Sequence, residues 1–173
     1  MVRESRSSRV LLRETTSCRS VLHDRKGHVV VANRLFVRRR DGQIQVRLND
    51  VGRSVAREAF TQVVIAERDV THEWHVSLNT PIDPSLDQDD PVATLHRQSE
   101  MATNAELAVM TLEEDYLNAT EAWAWLCTLQ VALRATAVAH GLLSDEKLAA
   151  SDQALLEYVR TLQQLLFSLA ECL

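Results

Sequence analysis

Arg38-Arg39-Arg40, with Arg34 and Arg47 on either side, is the densest group of chemically capable side chains in the sequence. Guanidinium groups pair with phosphate or carboxylate in a two-pronged geometry, so such a run suits a polyanion or an acidic protein surface. The plainer alternative is a charged strand face that discourages edge aggregation or pairs with the protein's own acidic helices. A second reactive candidate is Cys18, which has Arg13, Arg19 and Arg25 near it in sequence. Neighbouring cations favour the thiolate, which makes Cys18 the redox candidate.

The other constellations read as capping and packing. His72-Glu73-Trp74-His75 puts two histidines three apart. The metalloprotease pattern needs them four apart, with Glu after the first, and partner carboxylates at matching spacing are missing. Trp74 is therefore expected in the core, with the histidines on its flank. Asp83, Asp87, Asp89 and Asp90 lack the glycine and the closing Glu of a calcium loop, so no metal is expected. Glu113-Glu114-Asp115 reads as a solvated face or helix end. Cys127 reads as a small core residue, and no Cys–Cys or Cys–His spacing suggests a disulfide framework or zinc site. No Gly-x-Ser-x-Gly, Walker loop or GxGxxG is present, so the expectation is a non-enzymatic protein with no cofactor and no small-molecule substrate.

Charge is divided along the chain. Residues 1–50 hold 12 Lys and Arg against 5 Asp and Glu, a formal +7, while residues 51–173 hold 7 against 19, a formal −12. A block of one sign attracts a partner of the other, which points to an interaction protein. At 173 residues one domain is the natural expectation. Aromatic residues are only 5%, so the core must be built from Leu, Val and Ala. After Gly52 the sole glycine is Gly141, and so few breakers favour long helices. No 18-residue apolar run and no apolar signal segment are read from the sequence, which places the protein in the cytoplasm with no membrane contact.

The elements that must hold the arginines follow from periodicity. Residues 1–33 form a basic leader; Ser- and Arg-rich residues 1–28 lack a core stripe and are expected to be disordered. A second explanation is that translation begins near Leu35. Leu35-Phe36-Val37 and Ile44-Gln45-Val46-Arg47-Leu48 flank Asp41-Gly42, a tight-hairpin signal. Asn49 or Asp50 caps a helix whose stripe runs Val51, Val55, Ala59, Val63, Ala66, Val70 and Trp74. Thr80 to Pro84 ends it, and Asp90-Pro91 starts the next, with Val92, Leu95, Ala102, Ala105, Val109, Leu112 and Tyr116 as its apolar positions. Asn118 with Glu121, or Thr120 alone, caps a third helix carrying Trp125, Leu126, Leu129, Leu133 and Val138, which Gly141 ends. Ser144-Asp145-Glu146 opens a short helix, and Ser151-Asp152 restarts it for the final Leu-rich run. The fold class is mainly α with a small N-terminal β-hairpin (α+β): one helical-bundle domain over residues 34–173.

The order Phe36-Val37-Arg38-Arg39-Arg40-Asp41-Gly42, strand, helix, Asp89-Asp90-Pro91, Trp-bearing helix and C-terminal Leu-Gln-x-Leu-Leu helix resembles an actinobacterial family of small proteins. That family is described as the oxidative-stress transcriptional regulator AosR. The resemblance covers roughly residues 34–173; Trp125-Leu126-x-x-Leu129 followed by Arg134 is among its best parts. Gln130-Val131 stands where the family usually has Asn-Asp, and the Trp125-to-Arg134 spacing is one residue longer. The resemblance implies a cytoplasmic, mostly helical, non-enzymatic regulator acting with transcription machinery. Two readings follow: a regulator using Arg34, Arg38, Arg39, Arg40 and Arg47 on DNA or an acidic transcription partner, or a helical interaction module whose apolar faces make a homodimer or hold another protein.

Overall fold

The structure is a computed structural model that describes Leu22–His23, Val29–Val30 and residues 34–79, 91–142 and 151–173. The chain divides into two units, Met1–Asn33 and Arg34–Leu173. In the first, β1 (Leu22–His23) and β2 (Val29–Val30) pair antiparallel. The remainder of that unit, Cys18 included, lies outside the described residues, as do the acidic run 83–90 and the short helix expected from Ser144.

The second unit is mostly helical with a small antiparallel sheet, as expected. Its sheet holds β3 (Phe36–Arg38), β4 (Ile44–Val46) and β5 (Tyr116–Leu117) in the order β3-β4-β5. Its helices, five among the described residues, are α1 (Asp50–Arg68), α2 (His75–Asn79), α3 (Pro91–Met110), α4 (Ala119–Ala139) and α5 (Gln153–Ala170).

The hairpin forms where Asp41-Gly42 places it, with a longer loop than a two-residue turn. Arg39 N–H donates to Gln43 O at 2.8 Å, Gly42 N–H donates to Arg39 O at 3.2 Å, and only Gly42, at φ 86°, takes the left-handed conformation. This is the three-residue loop in which a tight turn is followed by a left-handed glycine. Asp41 Oδ1 accepts from Gln43 N–H at 3.1 Å and braces it.

α1 begins as expected, with Asn49 Oδ1 accepting from Gly52 N–H at 2.9 Å. It does not continue to Trp74. Asp69 Oδ1 accepts from both the amide (2.9 Å) and the hydroxyl (2.7 Å) of Thr71, giving the backbone a side-chain partner that competes with the next helical turn. The buried stripe is Ala56, Ala59, Phe60, Val63 and Ala66, whereas Val51 and Val70 stand in solvent. Past the turn, Trp74 is buried, as expected.

α3 likewise stops before the expected end of its stripe. Ala105, Ala108 and Leu112 are buried, while Val92, Leu95 and Val109 are exposed. Tyr116 is not helical: with Leu117 it forms β5, pairing Leu117 with Ile44 and Tyr116 with Gln45. The chain reverses at residues 111–115 and delivers Leu117 to the core.

Asn118 and Glu121 form a complete capping box at the start of α4. α4 packs against α1, α2, α3 and α5. By length and composition it could cross a membrane, with mean hydropathy 1.2, but here it lies in the bundle with Trp125, Leu129 and Ala132 buried. Trp125 takes Phe36 and Phe60 edge-on, at centroid distances of 6.2 and 5.1 Å, joining the sheet to two helices. Gly141, at φ 64°, follows the end of α4, and Asp152 caps α5, whose Leu162, Leu165 and Leu169 close the core.

Candidate functional site

Strand alternation separates the arginines. Phe36, Ile44, Val46 and Leu117 are buried, so the other set of side chains forms the outer face. On that face Val37, Gln45 and Tyr116 lie abreast across the three strands. Arg39 and Gln43 extend this face toward the loop and Arg47 extends it the other way, while Arg40 sits in the loop.

Arg38 falls on the helix-facing side. Its Nη1 donates to the main-chain oxygens of Leu173 at 3.0 Å and Cys172 at 3.4 Å, just beyond α5. A cation there meets carbonyls that have no helical donor and the negative end of the helix dipole. Arg39 rests over the Tyr116 ring, 5.4 Å from guanidinium carbon to centroid, with a loose 3.8 Å ion pair to Asp41. Arg47 Nε and Nη2 donate to Gln45 Oε1 at 3.3 and 3.0 Å. Arg40 has no hydrogen bond or ion pair among the described residues. Arg34 is exposed and acts electrostatically on the Cys172 thiol.

Three of the body's carboxylates are paired with arginines of its helices. Arg53 pairs with Asp115 at 3.1 Å and donates to Leu112 O at 2.6 Å; Arg57 pairs with Glu113, and Arg68 with Glu106. Two of the three acids in Glu113-Glu114-Asp115 are thus held by α1 beside the sheet. Among the described residues, Arg38, Arg39, Arg40 and Arg47 make no ion pair to a helical carboxylate.

The remaining candidates have structural partners. His72 Nδ1 accepts from Trp74 N–H at 3.1 Å, its Nε2 meets Gln62 Oε1 at 3.0 Å, and His75 Nδ1 donates to Ala66 O at 2.8 Å. Both rings therefore brace the turn between α1 and α2. Arg134 is half-buried on α4 and donates to Ser77 O; burial lowers its pKa. Cys127 is half-buried rather than fully enclosed, lining a cavity of about 170 Å³ with Arg97, Met101 and Asn104. Burial, then Glu100, raises its pKa. Burial also raises that of Cys172, against the lowering effect of Arg38 and Arg34. Both thiols are therefore held toward the protonated, unreactive form.

Tyr116 is the residue that sequence reasoning missed. It was read as part of a helical stripe, yet it stands 42% exposed among the arginines. The only local signal for a strand was its adjacency to Leu117 between a turn and a helix cap. No protein-family model, curated protein or solved structure matches the chain.

Proposed function

We propose that this is a non-enzymatic cytoplasmic regulatory protein that uses the outer sheet face and loop, through Arg39, Arg40 and Arg47, to hold a polyanion: DNA or an acidic surface of the transcription machinery. The observation that carries this reading is that, among the described residues, Arg39, Arg40 and Arg47 make no ion pair to a helical carboxylate. Arg38 serves as the anchor of the sheet on α5 rather than as a contact. The resemblance of the Arg-rich strand and the Trp125 helix to the AosR family agrees with a role in oxidative-stress transcription. Cys18 is the thiol through which oxidation would act, since Cys127 and Cys172 are disfavoured as thiolates.

The test is the triple variant Arg39→Ala, Arg40→Ala, Arg47→Ala, assayed for DNA binding by fluorescence anisotropy and for capture of transcription proteins from extract. Polyanion affinity is expected to fall at least tenfold, the thermal midpoint to stay, and the residual binding to lose its salt dependence. Unchanged binding in the triple variant removes the reading.

The second reading, a helical interaction module or homodimer, is favoured by the exposure of Trp123 on α4 and Phe167 on α5, 57% and 65%. Light scattering at high concentration decides it: a monomer ends the dimer.

A further inference from the structure

The outer face is more than a set of charges, because an aromatic ring stands at its β5 edge. The registers Val37↔Gln45 and Gln45↔Tyr116 set the three side chains in one row, about 10 Å across at ordinary strand spacing. Arg39 covers the Tyr116 ring at 5.4 Å, and Arg47 is held against Gln45, the neighbour of Tyr116 in that row. The face thus offers a ring and a guanidinium to stack on, an amide for hydrogen bonding, and cations for phosphate. Of the three acids that precede Tyr116 and would repel phosphate, Arg53 and Arg57 hold Asp115 and Glu113, leaving Glu114.

We infer that the polyanion is a single-stranded nucleic acid, one of whose unpaired bases stacks on the Arg39–Tyr116 pair while Arg40 and Arg47 contact flanking phosphates. This inference rests on the polyanion reading above and deepens it. An acidic peptide would use the charges but has no use for the ring. Duplex DNA keeps its bases inside the stack, and strands of two or three residues form a flat patch rather than a ridge that enters a groove. Stacking on an exposed aromatic, with arginines along the backbone, is the physics of sequence-tolerant single-strand binding.

The experiment is fluorescence anisotropy of the full chain with labelled single strands of about twelve nucleotides, DNA and RNA, against an abasic strand of equal charge, the matching duplex, a mononucleotide and polyglutamate. The base-bearing strand should bind about tenfold more tightly than the abasic one. Tyr116→Ala should erase that difference; Tyr116→Phe should keep it. Circular dichroism checks that each variant is folded. Equal affinity for base-bearing and abasic strands, or tighter binding of the duplex, overturns the stacking inference and leaves the polyanion reading standing. A mononucleotide that binds as well as the strand overturns the strand as ligand. Binding of polyglutamate but not oligonucleotides makes the partner an acidic protein and also overturns the inference. No binding to any of these polyanions removes both the inference and the reading beneath it.

Discussion

Because successive side chains of a strand point to opposite faces, Arg38 and Arg39 cannot do the same work, although they adjoin in sequence. Arg38 caps main-chain oxygens at the end of α5, whereas Arg39 lies on the outer face over Tyr116. Substituting the whole Arg38-Arg39-Arg40 run would therefore mix a stability effect with a binding effect. Arg38→Ala alone is expected to cost about 1 kcal/mol, the value of charge-assisted bonds to exposed helix-end carbonyls. Urea denaturation measures it as a lowered midpoint at unchanged slope. Polyanion affinity of the folded variant should remain that of the native protein. A variant with native stability and lost binding would instead place Arg38 among the contacts.

At the scale of elements, one hydrogen-bonded relay joins α4 to the end of α3. Trp125 Nε1 donates to Thr111 Oγ1 at 2.9 Å, and the Thr111 hydroxyl donates to Leu107 O at 2.8 Å. Thr111→Val keeps the shape but strips a buried indole N–H of its acceptor, so a loss of about 1–3 kcal/mol is expected, with a shift in tryptophan fluorescence. Thr111→Ser, which keeps the hydroxyl, should recover most of it. Trp125 stands out in the sequence but Thr111 does not, because a threonine at a helix end signals nothing until its partner is packed against it. Elements written in local chemistry were legible: the Asp41-Gly42 reversal, the Asn49 cap, the Asn118–Glu121 box and the Asp152 cap. Those that depend on tertiary partners were not. β5 exists because Leu117 and Tyr116 find β4, and two residues carry no periodicity to announce that. α1 ended early because a single Asp side chain outbid the helix for local donors, while the apolar spacing ran on past it. The arginine cluster itself was legible, but its division between anchor and surface needed the register, and its aromatic member needed β5.

Over the whole molecule, the question is how an acidic body carries a cationic face. Every residue of the described buried cluster lies within Phe36–Cys172. The leader, residues 1–33, holds 7 Lys and Arg against 3 Asp and Glu, so residues 34–173 alone carry 12 against 21, a formal −9. A chain beginning at Arg34 keeps every residue of the described buried cluster and is expected to melt within about 2 °C of the full protein. Binding then separates local contact from general charge. If Arg40 and Arg47 make the phosphate contacts while Arg39 stacks, log affinity should fall against log salt with a slope near −1.4, about 0.7 for each phosphate-contacting arginine on a single strand. That slope should be the same with and without the leader, since released counterions report contacts made and not distant charge. At about 0.15 M, where screening shrinks the reach of any field to about 8 Å, the affinities themselves should agree as well. A slope that flattens when residues 1–33 are removed would show leader cations on the phosphates as well, and the sheet face would then be one part of a larger interface.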